Sequence, residues 1–246
     1  MSERAPVVLM DPLEREDFKR RQPGLRRFGS ERSAIALPAA DPARLAERWQ
    51  LRRTRRRFAP RPVSRQELGR LLACLGESTA GGQPARLYPS AGGLYPIEAV
   101  LHLRPGRVSG IAPGTYAYDP AEHRLEALVP DVDLDRGLHV PLVNQPVFDQ
   151  AAFSLFLVAD FGAIAPLYGS QSWDFALLEC GYVSQLLMLQ AAPAGLGLCP
   201  IGGLDFAAVR HLFDLGDGHV LLHSHLGGAL PPPREAADGE REEGEL

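Results

Sequence analysis

Three stretches of this 246-residue chain hold residue types whose spacing could do chemistry. The first is LRRTRRRF, where Arg52, Arg53, Arg55, Arg56 and Arg57 surround Thr54. Like charges at such spacing repel, so a plain helix face is a poor reading and an anionic ligand would relieve the repulsion. An exposed basic patch is the ordinary alternative, but sparse aromatic interleaving and a negative net charge argue against nucleic acid. The second stretch is LYPSAGGLYPIE, residues 87–98. Gly92 and Gly93 permit positive φ or a close approach to a ligand. Ser90 offers a hydroxyl, and Tyr88 and Tyr95 flank the loop with flat faces. Such a loop can lie against a planar ring, although a lone PSAGG would be an ordinary turn. The third is GLGLCPIGGLD, a Gly-rich turn that an ordinary connection between elements could also explain.

The elements that must hold these stretches are legible by period and punctuation. Asp11 can cap a short helix opening at Pro12, with Glu14 completing the arrangement, and the basic segment that follows ends at Pro23-Gly24. Asp41-Pro42 repeats the signal for a helix over Ala43–Arg52, with Leu45, Trp49 and Leu51 as its apolar stripe. Val63–Gly76 carries the clearest helix signature: Ser64 as N-cap, Glu67 three on, a Val63/Leu68 staple, and Leu68, Leu71, Leu72 and Leu75 on one face. The span 78–83 reads as a loop, Ile97–Leu103 as a strand, Pro105–Pro130 as a β-meander and Asp131–Phe148 as a polar loop. Phe153–Asp160 is apolar on both faces and predicts a central strand. Trp173–Ala192 is apolar all round, which predicts a helix buried on every side, as at a subunit interface; Glu179, Ser184 and Gln185 within it need partners. A short helix over Asp205–Leu212 and a strand over His219–Leu226 follow. The tail Pro231–Leu246, proline-rich and acidic, reads as disordered.

The totals narrow the classes. Hydrophobic residues make up 45% and charged ones 23%, as in ordinary globular proteins. The net charge of -4 excludes a general polyanion binder, though arginines crowd the first quarter and acids the last dozen residues. Cys74, Cys180 and Cys199 are odd in number and lack metal-ligand spacing, so neither a disulfide framework nor a zinc site is expected. No signal peptide or membrane-spanning run is visible, and a cytoplasmic location is expected.

Taken together, RRTRRRF, YPSAGGLYPIE and the apolar helix followed by GLGLCPIGG resemble the FMN-dependent nitroreductase-like family in its azoline-oxidising (SagB-type) branch. That branch includes dehydrogenases acting on ribosomal peptides and the oxidase domains of nonribosomal peptide synthetases. DPLEREDFKRRQPGLR and NQPVFDQAAFSLFLVADFGAIAPLYG look closest to the nonribosomal oxidases. The resemblance implies an α+β fold, a mixed, mostly antiparallel sheet flanked by helices, with the long helix at a homodimer interface. It divides the chain into an N-terminal extension, 1–40, an FMN domain, 41–230, and the tail, 231–246.

By the same resemblance Arg52, Thr54 and Arg56 occupy the family's Arg-x-Ser-x-Arg/Lys motif, with Thr54 keeping the hydroxyl. Arginine suits a phosphate dianion through paired charge-assisted bonds. Pro89, Ser90, Ala91 and Gly92 would meet the isoalloxazine, together with Gln185, Ile201, Gly202 and Gly203; the Gly202 N–H matches the position facing flavin N5. One departure stands out: the ribosomal branch has Lys-Tyr before a glycine, and here the order is Leu167-Tyr168-Gly169. The lysine's role as base is therefore not carried over. Tyr168 and Asn144 are the catalytic candidates, with Tyr168 either a base or, with Asn144, a hydrogen-bonding pair that lets the proton leave to water or flavin. An ordinary half-buried tyrosine is the alternative.

The implied activity is FMN-dependent oxidation of a thiazoline or oxazoline, tethered to a peptidyl carrier protein domain, to the azole, with molecular oxygen as electron acceptor. An NAD(P)H-dependent nitro- or quinone reductase and a flavin-binding docking module without turnover are the rivals.

Overall fold

The structure, a computed structural model, describes residues 9–21, 23–26, 28, 33–39, 41–79 and 85–231. Apart from Pro231, the acidic tail lies outside the described residues, as does much of the 78–83 loop. The chain divides into two compact units, 1–41 and 42–246. In the first, α1 (Pro12–Arg20) is capped by Asp11, whose carboxylate accepts the N–H groups of Leu13 and Glu14 at 2.8 and 2.9 Å.

The second unit is an α+β fold. It opens with α2 (Pro42–Leu51), β1 (Val63–Ser64) and α3 (Arg65–Leu72), with a 3₁₀ turn over Ala73–Leu75. The expected capping box is present: Glu67 N–H donates to Ser64 Oγ while the Glu67 carboxylate accepts the Ser64 N–H. Arg61 adds a fork onto Glu67, holding that carboxyl at a pKa of about 2. Leu68, Leu71 and Leu72 are buried as the periodicity requires.

Strands β2 (Ile97–Leu103), β3 (Val108–Ser109), β4 (Gly114–Asp119) and β5 (Arg124–Pro130) follow, then α4 (Gln145–Gln150), β6 (Phe153–Asp160), α5 (Phe161–Tyr168), α6 (Ser172–Ala191), β7 (Leu196–Ile201) and β8 (His219–Ala229). The main sheet has six strands in the order β5-β4-β2-β6-β8-β7, and every neighbouring pair is antiparallel. β1 and β3 form a separate parallel pair. β6 is central and buried along nearly its whole length, as its two apolar faces predict. One face of the sheet packs against α3 and α6, and the other against α4 and the Phe206–Phe213 segment.

Three local expectations are corrected, and one helix on which the sequence made no statement is added. Residues 131–148 are not all loop, because α4 begins at Gln145, with Pro146 in its first turn. The stretch 161–168 is a helix, capped by Asp160, whose side chain accepts the Gly162 N–H at 2.8 Å. GLGLCPI is a strand, not a turn; Gly197 is needed in it because a β-carbon there would stand 2.8 Å from that of Arg55. Asp205–Leu212 yields only turns and a 3₁₀ segment, Arg210–Leu212.

The long helix α6 forms where expected but is buried on one side only within a single chain. Ala176, Glu179, Cys180, Val183, Leu187, Met188 and Ala191 are buried, while Trp173, Leu177, Leu178 and Tyr182 are 43–55% exposed.

Candidate functional site

Strand direction sets the site. The N-terminal end of β2, the C-terminal end of β6 and the N-terminal start of β8 lie together, since Ile97 pairs with Ala159 and Asp160 with His219. The C-terminal end of β7 points the same way, with Ile201 opposite Ser224. The Ser90 loop, α5 and the Gly202–Gly203 turn are therefore all carried at one end of the sheet.

At the β2 side, the loop is held from within. Ser90 Oγ accepts the Tyr95 N–H at 2.8 Å, and the Tyr95 hydroxyl accepts the Arg86 N–H at 3.3 Å. Arg86 Nη1 donates to the Tyr88 hydroxyl at 2.8 Å, and its guanidinium lies 4.7 Å from the Tyr95 ring centroid. Gly92 adopts φ 61°, Gly93 φ 67° and Tyr95 φ 50°, so three positions of this turn occupy the left-handed region. Pro89 and Gly92 are exposed, and Ser90 and Ala91 half-buried. The C-terminal end of α5 comes down on this loop: a β-carbon on Gly92 would stand 2.9 Å from the Tyr168 hydroxyl and 3.2 Å from Leu167. Tyr168 is braced edge-on by Phe175, with ring centroids 4.9 Å apart.

At the β7 side, Asn144 Nδ2 donates to the Gly203 carbonyl at 3.2 Å, and Val140 packs beside Gly203. Ile201 is buried, and its carbonyl accepts the Ser224 hydroxyl at 3.3 Å. Gly202 is exposed, and no heavy atom lies within 4 Å of the place its β-carbon would take. A flat ligand can reach its backbone. His139, buried nearby with neither ring nitrogen partnered, stacks on Phe148, and burial holds its pKa down at about 4.

The arginine segment runs along β7. The Arg55 N–H donates to the Leu198 carbonyl at 2.8 Å and the Ala59 N–H to that of Ala229. Arg56 lies close enough to Cys199 to oppose the upward pKa shift that burial gives that thiol. Arg52, Arg55, Arg56 and Arg57 make no ion pair among the described residues, so four guanidinium charges in one segment stand without an internal counter-charge.

The structure thus joins Tyr168 with Gly92, Asn144 with Gly203, and the arginines with β7. It does not bring the Ser90 loop beside Gly202 in one chain: β6 and β8 stand between β2 and β7, a span of roughly 14 Å at ordinary strand spacing. Gln185 is elsewhere again, exposed on α6 and lining a groove of about 250 Å³ with Leu177, Cys180, Ser184, Leu222 and His223.

Sequence reasoning missed Arg86, which organises the tyrosines of the Ser90 loop, and the buried His225, which shares a 2.9 Å hydrogen bond with Ser184. Neither has a motif; Arg86 meets its tyrosines through the local turn of the loop, and only the fold brings His225 to Ser184. Glu98, Asp160 and His219 also meet at the strand ends, with ligand atoms within 4.8 Å, although one Asp160 oxygen is engaged in capping α5.

An antiparallel sheet with helices on both faces, a glycine-rich loop at its end and an arginine-rich segment along its edge define a nitroreductase-like fold. The family model described as "Nitroreductase family" matches residues 50–228, and the chain belongs to that family, whose members are oxidoreductases. A protein of Methanocaldococcus jannaschii designated a nitroreductase is 26% identical over 189 residues, which cover 76% of this chain and 93% of that one. Indigoidine synthase of Dickeya dadantii is 27% identical over 183 residues, 73% of this chain but only 11% of that much longer protein. Among solved structures, the E. coli microcin synthetase McbBCD complex matches with a TM-score of 0.71 at 21% identity, over 93% of this chain and 85% of the other. At that identity it shows the fold alone. A Ralstonia eutropha protein assigned as a nitroreductase gives a TM-score of 0.60 at 25% identity, over 83% and 92%. Among the described residues, no helix is long and apolar enough to cross a membrane.

Proposed function

We propose that this protein is an FMN-dependent oxidase that converts a thiazoline or oxazoline to the thiazole or oxazole. Its substrate would arrive on a peptidyl carrier protein domain of a nonribosomal peptide synthetase. The observation that carries the reading is the placement of the Tyr168 hydroxyl directly over Gly92, in the loop suited to a planar ring. The likeness to a stretch of indigoidine synthase supports a place in peptide assembly.

The residues present fit FMN. Arg52, Thr54 and Arg56 offer charge and a hydroxyl to a phosphate, and Arg52 and Arg56 make no ion pair among the described residues. Gly202, between Ile201 and Gly203, offers open backbone at the end of β7, and Pro89, Ser90, Ala91 and Gly92 offer a glycine-bearing loop. These two sets are two strands apart in one chain, which favours a site completed by a second protomer. The half-exposed apolar stripe Trp173, Leu177, Leu178 and Tyr182 on α6 gives that homodimer a surface, and Gln185 lies on the same exposed side.

Oxidising an azoline removes a proton from one ring carbon and a hydride from its neighbour, and aromatisation drives the change. Bound FMN supplies the two-electron acceptor, with oxygen as the terminal oxidant. The chain must handle the proton and orient the ring. Tyr168 is assigned the proton, since its hydroxyl reaches the loop without a lysine beside it. Asn144 is assigned orientation through an amide already fixed to Gly203. The thioester that anchors the substrate would acidify the carbon that loses the proton.

Two observations test the class of reaction. Heated protein should release a yellow compound with the mass of FMN. NADPH, added without substrate, should leave the flavin colour unchanged, whereas rapid bleaching would favour a nitro- or quinone reductase.

A further inference from the structure

Three strands bring three metal-binding side chains to one face of the sheet, at the end that carries the Ser90 loop. Glu98 in β2 stands opposite Val158 of β6, and Asp160 lies two residues further along β6, so both share a face. His219 opens β8 directly opposite Asp160 and belongs to the same face. One ligand atom from each residue lies within 4.8 Å of the other two. The cluster has no lysine or arginine to balance it. Among the described residues neither carboxylate forms an ion pair with either type, and the Glu98 oxygen stands 3.7 Å from His219 Nε2, beyond hydrogen-bond reach. Arg210 approaches this turn but is spent on backbone, donating to the carbonyls of His219 and Gly216.

A contact outside the cluster fixes the imidazole. His219 Nδ1 lies 3.3 Å from the Gly216 carbonyl. A carbonyl oxygen only accepts, so Nδ1 carries the hydrogen and the neutral ring presents its Nε2 lone pair to the carboxylates. Metal-bound histidines are oriented in the same way, by giving the other ring N–H to a carbonyl. Asp160 is half committed: one oxygen accepts the Gly162 N–H at 2.8 Å, and the other has no hydrogen bond among the described residues. Three electron pairs thus converge with no hydrogen between them. We propose that Glu98, Asp160 and His219 bind one divalent transition-metal ion of the zinc type, with water completing its coordination. The imidazole favours such an ion over Mg²⁺ or Ca²⁺, which take oxygen ligands. Bonds of about 2.0–2.2 Å set tetrahedral ligand atoms roughly 3.3–3.6 Å apart. The exposed Glu98 side chain is free to swing the short distance that closes the set. The ion ties the strand that leaves the Ser90 loop to Asp160, the residue that caps α5 and so helps to hold Tyr168 over that loop. Its part is structural, and it is independent of the oxidation proposed above.

The test is calorimetric titration of chelator-treated protein with Zn²⁺, and in parallel with Mg²⁺, the melting temperature being followed in each. Zn²⁺ should bind one to one and raise the melting temperature, and an equal amount of Mg²⁺ should do neither. Three substitutions each remove one ligand and spare the local structure. Glu98→Gln alters an exposed side chain. Asp160→Asn keeps an oxygen for the Gly162 N–H, and His219→Asn keeps a donor for the Gly216 carbonyl but lacks Nε2. Each should weaken Zn²⁺ binding by roughly tenfold or more, at least the cost of losing a group that only orients a ligand. Each should also abolish the rise in melting temperature, while the circular dichroism of the metal-free protein stays native. Zn²⁺ that binds wild type and all three variants alike, as it would through the cysteines or the acidic tail, overturns the proposal. A wild type that takes up no Zn²⁺, or that prefers Mg²⁺, overturns it as well. Should Asp160→Asn or His219→Asn fail to fold, Glu98→Gln decides alone.

Discussion

The Tyr168 hydroxyl stands 2.9 Å from the point a β-carbon on Gly92 would occupy, and Gly92 itself holds φ 61°. Glycine is required here twice over, by backbone conformation and by the phenol above it. Gly92→Ala should therefore lower the urea midpoint, with a left-handed alanine alone costing about 1–2 kcal/mol. Adding Tyr168→Phe removes the nearest atom and should recover part of the loss. A double-mutant cycle should show coupling of roughly 0.5 kcal/mol or more. Strict additivity would mean that the phenol does not press on the loop.

The arginine segment makes the second prediction. Arg52→Ala should weaken FMN binding by about 2 kcal/mol, the cost of one charged hydrogen bond, without lowering the melting temperature of the apoprotein. Flavin titration and thermal scanning check the two halves. Unchanged affinity would remove Arg52 from the site.

The third concerns α6. Leu186 packs against the chain's own core, so an acidic residue there would unfold a monomer as readily as a dimer. Leu178, 55% exposed, separates the two effects. Leu178→Glu should leave circular dichroism native while light scattering reports monomers, and FMN should be lost with the dimer. Dimers that persist in this variant would place the interface elsewhere.

Acid stability gives the fourth. Burial holds His139 down at about 4, and burial together with His223 holds His225 down at about 3, both below the ordinary value of 6.5. The unfolded chain takes up protons that the fold refuses, so stability present above pH 6.5 is lost as the pH falls toward 4 and 3. The His139 ring has no hydrogen bond to lose among the described residues, which makes His139→Phe a clean probe. Its unfolding midpoint should fall less between pH 8 and pH 5 than that of wild type. Equal falls would show that His139 does not contribute.

Much of this arrangement was legible in the residues, for reasons that differ by element. The Ser64/Glu67 capping box and the leucines of α3 are local signals, and the structure keeps them. The strand at Phe153 was legible because both of its faces are apolar. Helix α5 was not, because FGAIAPLY has no polar face and carries Pro166, so only its Asp160 cap marks it. β7 was hidden because its glycines read as a turn, whereas Gly197 answers to Arg55, a residue far away in sequence. The motifs at Ser90, Arg52 and Gly202 could be recognised singly. Their relation could not, since it depends on which strands separate β2 from β7. Glu179 was visible as a polar residue needing a partner, and the structure buries it with neither oxygen hydrogen-bonded among the described residues.

The central claim is best tested by single-turnover mixing of FMN-loaded protein with a carrier-bound or thioester-mimic thiazoline in the absence of oxygen. The account predicts bleaching of the flavin in step with formation of a thiazole two hydrogens lighter. Tyr168→Phe should keep its FMN and bleach roughly 10²–10⁴ times more slowly, the usual share of general acid–base catalysis. Wild-type flavin that stays oxidised with the thiazoline but bleaches with NADPH would contradict the account.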